Sequence, residues 1–299
     1  MNILITGGTG FLGQALIRQL LARGDSVTVL SRHAETVVKR CGVAVKAVER
    51  LNELNAEEDF AVVINLAGAP IIDSFWTSPR KQLIRESRIT LTEQLVDFMA
   101  QCSIKPRLLI SGSAIGYYGD QGDSVLNEQS SMGAGFAAQL CHDWEQAARR
   151  AEPLGIRVCL LRTGLVIGGD GGFLQRLLLP FRMGLGGCLG NGRQWMSWIS
   201  QDDWVAIVLA MIDQAQMHGV YNATAPNPVT NCEFTETLAR RLNRPAWLPI
   251  PAVFLKYGLG ERSELLLSSQ RVLPERLLAQ GFSFQHTQLN TVITLSLAG

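Results

Sequence analysis

Residues 6–13 read TGGTGFLG, with glycines at 7, 10 and 13 in a GxxGxxG spacing directly behind the apolar run NILIT. A helical pattern over 12–23 follows at once, with Leu12, Ala15, Leu16 and Leu20 on one face and Gly24 as a stop signal. Such a turn presents free N–H groups at the positive end of a helix, where a phosphate-bearing anion is stabilised. Gly7 is expected to permit the tight turn, Gly10 to let backbone approach a pyrophosphate, and Gly13 to let the helix pack closely. With Thr9, Phe11 and Leu12 beside them, these glycines predict a dinucleotide site.

A second group sets the cofactor. The stretch SVTVL at 26–30 ends in Ser31 and Arg32, where an acidic side chain would bind the 2′-hydroxyl of NAD. A hydroxyl and a guanidinium instead match a 2′-phosphate, so NADP is the expected cofactor. Two further sites stand at the ends of apolar runs. Leu66, Ala67 and Gly68 form a small-residue turn where backbone can approach a ligand, and Ser113 could hydrogen-bond a substrate oxygen. Residues 190–204, GNGRQWMSWISQDDW, hold three tryptophans among polar groups, which suits a sugar or another mixed apolar–polar ligand. Trp195 and Trp198 fit ligand contact and core packing equally well, whereas Asp202 or Asp203 reads as a helix cap.

These groups need a scaffold. Apolar runs at 2–6, 26–30, 61–67, 107–113 and 157–164 read as strands buried on both faces, and helical patterns at 12–23, 91–101 and 136–151 lie between them. The alternation implies right-handed βαβ units, hence an α/β fold with a Rossmann-type doubly wound parallel sheet. Beyond Gly164 the chain turns glycine-rich, with further helices near 173–184 and 203–217 and one more strand at 219–225. The expected division is a nucleotide-binding domain over 1–225 and a small, mostly helical C-terminal lobe over 226–299. Residues 165–200 should contribute to the cleft.

Composition narrows the partners. The chain is 47% hydrophobic and 18% charged, with a formal net charge of +1, so it has core enough to fold and no basic footprint for nucleic acid or acidic membrane. Cysteines at 41, 102, 141, 159, 188 and 232 include no CxxC pair, which predicts ordinary buried thiols, no metal site and a reducing cytoplasm. No apolar run reaches the roughly 18–20 residues needed to span a bilayer. A small molecule is the expected partner, and homodimerisation stays open.

The order TGGTGFLG, NLAG, ISGSAIGYYGD and LRTGLVIG resembles that of extended short-chain dehydrogenases/reductases of the NAD(P)-dependent epimerase/dehydratase superfamily. The SR pair at 87–88, together with GYYGD, DWE, PFRMGLGG, WMSWISQDD and NATAPNPVTN, resembles one atypical subfamily, the "epimerase family proteins". The resemblance implies that Leu66, Ala67 and Gly68 line the adenine–ribose side of an NADP site and that Arg88 reaches the cofactor phosphates. It places Ser113 as the catalytic hydroxyl and Tyr118 as a tyrosine shaping the site.

One expected feature is missing. The superfamily's proton-transfer pair is a Tyr with a Lys four residues later, yet no YxxxK occurs, and 106–255 contains no lysine. The helix at this point offers Phe136 and Leu140. His142 lies about 600° around that helix from Phe136 and is expected to face away, on a solvated side with Asp143, Glu145, Arg149 and Arg150. The leading expectation is an epimerase or oxidoreductase acting on a small polar substrate, sugar-derived or otherwise. The rival is a non-catalytic protein that senses or binds NADP.

Overall fold

The computed structural model describes residues 1–55 and 57–298. Its centre is seven strands: β1 (Asn2–Thr6), β2 (Ser26–Leu30), β3 (Lys46–Val48), β4 (Val62–Asn65), β5 (Leu108–Ala114), β6 (Arg157–Thr163) and β7 (Gly219–Ala223). They lie in the order β7-β6-β5-β4-β1-β2-β3, and every neighbouring pair is parallel. The order reverses between β1 and β4, so the crevice beyond their carboxyl ends is the ligand position of a doubly wound sheet.

Continuous apolar runs form these strands because both faces are covered. In β1, Ile3, Leu4 and Ile5 are all fully buried. Ile3 and Ile5 join a core with α1 (Phe11–Ala22), α2 (Ala34–Cys41) and α7 (Gln201–Asp213), while Leu4 joins the opposite core with α4 (Ile89–Gln101) and α5 (Phe136–Arg149). Strand β3 was not foreseen. It has only three residues, opens on Lys46 and pairs along one edge with β2, so it carries little of the apolar signal that marks a buried strand.

The segment after β6 folds with the C-terminal helices. Ile167, Leu174 of α6 (Gly172–Arg182), Trp198, Phe234 and Leu238 of α8 (Asn231–Leu242), and Ile293 pack in one further core. Trp198 is wholly buried there, so of its two open readings the structure shows packing. Further helices are α3 (Ser78–Glu86), α9 (Ala252–Leu259) and α10 (Glu264–Leu267). Among the described residues no helix is long and apolar enough to cross a membrane.

The cysteine expectation needs correction. Cys41, Cys102, Cys141 and Cys159 are free, but Cys188 and Cys232 form a disulfide with Cα atoms 5.2 Å apart. Their separation of 44 residues gives no local signal. The pairing arises because the loop before Gln194 folds back on the start of α8: Leu189 N–H donates to Asn231 Oδ1 at 2.7 Å, and Cys232 N–H donates to the Gly192 carbonyl at 2.9 Å.

Phe234 is 1% exposed and meets Phe173 edge-on at 5.6 Å. Phe234→Ala should cost about 3–5 kcal/mol and lower the thermal midpoint by several degrees. An unchanged midpoint would show that this cluster does not carry the lobe.

Candidate functional site

The glycine turn is built by close backbone contact. Gly7 has φ +72°, and a Cβ there would lie 2.6 Å from the Leu66 carbonyl carbon. A Cβ on Gly13 would lie 2.4 Å from the Gly7 carbonyl oxygen, so the first turn of α1 rests directly on the loop. Thr6 ties the ends of β1 and β4 together, donating to Asn65 Oδ1 at 2.7 Å and accepting from Ala67 N–H at 3.2 Å. Gly10 caps α1 with no side-chain hydrogen bond, and the first turn holds no acid. The N–H groups there are open to an anion.

Thr9 and Leu12 border the turn, half-buried. Phe11 wedges against Gly168, Gly171 and Gly172, where any Cβ would meet its ring. Ser31 is half-buried and Arg32 exposed just beyond the end of β2. Arg40, which the motif reading passed over, donates from Nη1 to the Thr9 carbonyl at 3.1 Å and brings a second guanidinium to this end. Its only sequence signal was its place on the amphipathic helix that follows β2.

Leu66, Ala67 and Gly68 turn at the end of β4, with Arg88 beneath them. A Cβ on Gly68 would lie 2.6 Å from the Arg88 guanidinium carbon. Arg88 Nη1 donates to the carbonyls of Ala69 at 3.0 Å and Ile84 at 3.3 Å, and its guanidinium lies 5.3 Å from the centre of the Trp144 ring. It forms no ion pair among the described residues. Burial lowers its pKa to about 10, which leaves a half-buried cation at the switch point. A glycine cradle with free N–H groups and an uncompensated guanidinium fit a dinucleotide.

Ser113 and Tyr118 come together, but through a buried network. Ser113 Oγ donates to Glu145 Oε1 at 2.7 Å, and Arg162 grips the same carboxylate through Nε at 2.7 Å and Nη2 at 2.8 Å. Arg162 Nη1 donates to the Tyr118 hydroxyl at 3.0 Å, and that hydroxyl donates to Asn222 Oδ1 at 2.7 Å. The Arg162 guanidinium also stacks 3.3 Å from the Tyr117 ring centre. Ser113, Tyr118, Glu145 and Arg162 are all nearly or wholly buried. Burial pushes the Tyr118 phenol up to about 12 despite the neighbouring Arg162. For Arg162, desolvation opposes the charge, yet the bonds and charge of Glu145 outweigh it and raise the pKa.

Glu145 therefore corrects the expected solvated face of α5. Asp143, Arg149 and Arg150 do form outer ion pairs, with Arg85, Glu152 and Glu93 respectively, but Glu145 points inward. His142 is half-buried, its ring 6.5 Å from that of Tyr117. The phase of the helix also shifts by one residue. Phe136 packs edge-on against Trp76 at 4.9 Å and Leu140 is buried in the same cluster. The residues facing the cleft are Ala137 and Cys141, one turn apart. Alanine has no proton to give, and burial raises the Cys141 thiol to about 11.

That face borders a cavity of about 300 Å³ at the carboxyl ends of β5 and β6. Its wall includes Ile115, Leu165, Trp195 and Glu264. Glu264 belongs to α10, and its Oε1 accepts from Ala137 N–H at 3.4 Å. Burial raises its carboxyl pKa, helped by Glu261 and opposed by the Ala137 N–H and Lys81. Of the residues expected at the cleft, Trp195 lines it. Asp203 lies wholly buried, supporting the Ser200 cap of α7 and accepting from Gln285 N–H at 2.7 Å and His286 N–H at 3.0 Å.

A parallel sheet with a glycine cradle at its switch point and a cavity beside it defines a Rossmann-type fold, and the chain belongs to the NAD dependent epimerase/dehydratase family, whose pattern matches residues 3–224. Residues 250–294 match a domain of unknown function, DUF1731. An epimerase family protein of Mycobacterium bovis is 40% identical over 97% of this chain and 96% of its own length. The epimerase family protein YfhF of Bacillus subtilis is 38% identical, covering 100% of this chain and 98% of its own. The crystal structure of the human epimerase family protein SDR39U1 with NADPH superposes with a TM-score of 0.90 at 31% identity, over 100% of this chain and 99% of that one. A UDP-glucuronic acid 4-epimerase of Bacillus cereus, at 16% identity and a TM-score of 0.81, shares the fold.

Glu145→Ala would strand the Arg162 charge in a dry interior and should cost about 3–5 kcal/mol in urea unfolding. Pairing Glu145→Leu with Arg162→Met should recover part of that loss; a single variant as stable as the parent would remove the network from the stability account. Cys141 supplies a pH signature. Its folded pKa of about 11 exceeds the ordinary 9.0 of the unfolded thiol, so its contribution is complete below about pH 9 and lost as pH rises through 11. Parent stability should fall by about 2–3 kcal/mol more than that of Cys141→Ala across that window.

Proposed function

We propose that this chain is an atypical NADP-dependent short-chain dehydrogenase/reductase that works without a Tyr/Lys pair. The observation that carries the reading is the uncapped start of α1, seated on Gly7 and Gly13 against the Leu66–Gly68 turn. Backbone N–H groups of Phe11, Leu12 and Gly13 in the first turn of α1, with Gly7, Thr9 and Gly10 shaping the turn before them, would hold the pyrophosphate. Ser31 and Arg32, with Arg40 nearby, would hold a 2′-phosphate, and Arg88 would stand behind the Leu66–Gly68 turn on the adenosine side. NADPH in the human relative's structure supports the choice of cofactor. When bound, the nicotinamide exchanges a hydride.

In this reading Ser113 and Tyr118 are positioning residues. Their hydroxyls hold the Glu145–Arg162 pair in place beneath the cleft, which replaces the direct catalytic contact expected for Ser113. The rival reading, an NADP-binding sensor, draws support from Ala137 and Cys141 on the cavity face, because neither supplies a ready proton at neutral pH.

Titration of the protein with NADPH and NADH, followed by nicotinamide fluorescence, tests the cofactor. NADPH should bind the more tightly, and Arg32→Asp should reduce that preference roughly 10- to 100-fold, the worth of a charge-assisted hydrogen bond. An unchanged preference would overturn the assignment to Arg32. Loss of nicotinamide absorbance with any member of an aldehyde, ketone and nucleotide-sugar panel supports the enzyme, whereas tight NADPH binding with no turnover would leave the sensor.

A further inference from the structure

We propose that the cavity takes an uncharged, largely apolar alcohol or its carbonyl counterpart, with Glu264 as the polar anchor for the oxygen. This rests on the reading of the cleft as a nicotinamide-dependent site and, of the sugar or other mixed apolar–polar ligand expected from the tryptophan-rich stretch, takes the second and more apolar alternative. The walls carry the argument. Ile71, Ile115, Leu165, Phe173, Met196 and Leu265 present hydrocarbon to the space. Trp195 joins them without a free polar edge, because its indole N–H donates to Asp123 at 3.0 Å and Arg271 stacks 4.3 Å from its ring centre.

The polar groups on the wall are mostly occupied by the protein itself. Thr163 accepts from the Trp204 indole at 3.1 Å, and Ser197 donates to the Gln270 carbonyl at 2.8 Å. Asn231 accepts from Leu189 N–H, and the Gln270 amide donates to the Gly119 carbonyl at 3.1 Å. Arg176 is the one guanidinium on the wall, and it pairs with Asp73 at 2.8 Å. Among the described residues, the Ser268 hydroxyl, the Gln270 side-chain carbonyl oxygen and the second carboxyl oxygen of Glu264 remain for a ligand.

Chemistry then selects the class. A nucleoside diphosphate needs several charge-assisted donors around its phosphates. The wall offers one engaged arginine, no lysine and a carboxyl group, so a dianion is disfavoured. The volume of about 300 Å³ is also at the bottom of the range for small-molecule sites, about 300–1,000 Å³. A carboxylate accepts from an alcohol O–H, and a carboxylic acid donates to a carbonyl, so Glu264 can read either member of such a pair. The Ala137 N–H holds one oxygen at 3.4 Å, which leaves the other without a protein hydrogen bond among the described residues and available to the ligand's oxygen.

Calorimetric binding of 4-phenyl-2-butanone and of UDP-glucuronic acid to the NADPH-loaded protein tests both halves. The ketone should bind the more tightly to the parent. Glu264→Leu should weaken ketone binding roughly tenfold, and Glu264→Gln, whose amide still donates and accepts, should stay within roughly threefold, with NADPH affinity confirming that each variant is folded. Tighter binding of UDP-glucuronic acid, or no ketone binding while NADPH binds, overturns the ligand class, and this comparison needs only the parent. Parent-like ketone binding by Glu264→Leu overturns the anchor. Failure of the parent to bind NADPH instead overturns the nicotinamide-dependent reading beneath.

Discussion

A guanidinium and a carboxylate meet in the dry interior of this protein, and much of the cleft is arranged to make that tolerable. Removing Arg162 and Glu145 from water carries a desolvation penalty that their attraction offsets only when every remaining donor and acceptor is satisfied. The structure meets the requirement with five elements. Ser113 at the end of β5, Arg162 on β6, Glu145 on α5, Tyr118 in the turn after β5 and Asn222 on β7 close one hydrogen-bonded chain. Each hydroxyl in it has its donated hydrogen already engaged. Ser113 and Tyr118 thereby join a hydrogen-bonded floor beside the cavity.

Two different solvents are built on that floor. The end near β1 and α1 is a polar cradle in which uncapped backbone N–H groups stand beside the Arg40 and Arg88 guanidinium groups, which donate to backbone carbonyls and form no carboxylate pair among the described residues. The end near β5 and β6 is mostly hydrocarbon, with Glu264 brought in from the C-terminal region. An anion is held well where charge is uncompensated, and an apolar group is held well where water has few partners. A dinucleotide with a small organic reactant would match that division, in line with the function proposed above.

Legibility in the sequence followed the range of the forces involved. The strands of the sheet other than the short edge strand β3 announced themselves, because a strand such as β1, with Ile3, Leu4 and Ile5 all buried, must be apolar on consecutive residues. The cradle was equally plain, since its glycines are required by contacts a few residues away or across one strand pair. Helix α5 was recognised, but not the way it faces. A one-residue error in phase is a rotation of about 100°, enough to put Phe136 and Leu140 where Ala137 and Cys141 stand. Glu145 was misread for a related reason: an acidic residue beside Asp143 and near Arg149 looks solvated until its partner, Arg162 on a strand, is known. The Cys188–Cys232 bond and the approach of Glu264 to Ala137 depend on how distant segments fold back, and no spacing rule records that.

Local patterns in the chain thus determined the doubly wound sheet, the anion-binding turn and the absence of a Tyr/Lys pair, because each depends on residue types within one or two elements. Tertiary packing decided which side chains face the cleft, which hydroxyls are already engaged and which carboxyl reaches the cavity. Those properties depend on helix rotation and long-range closure. A turn of α5 by one residue would leave its composition unchanged and exchange the wall of the site.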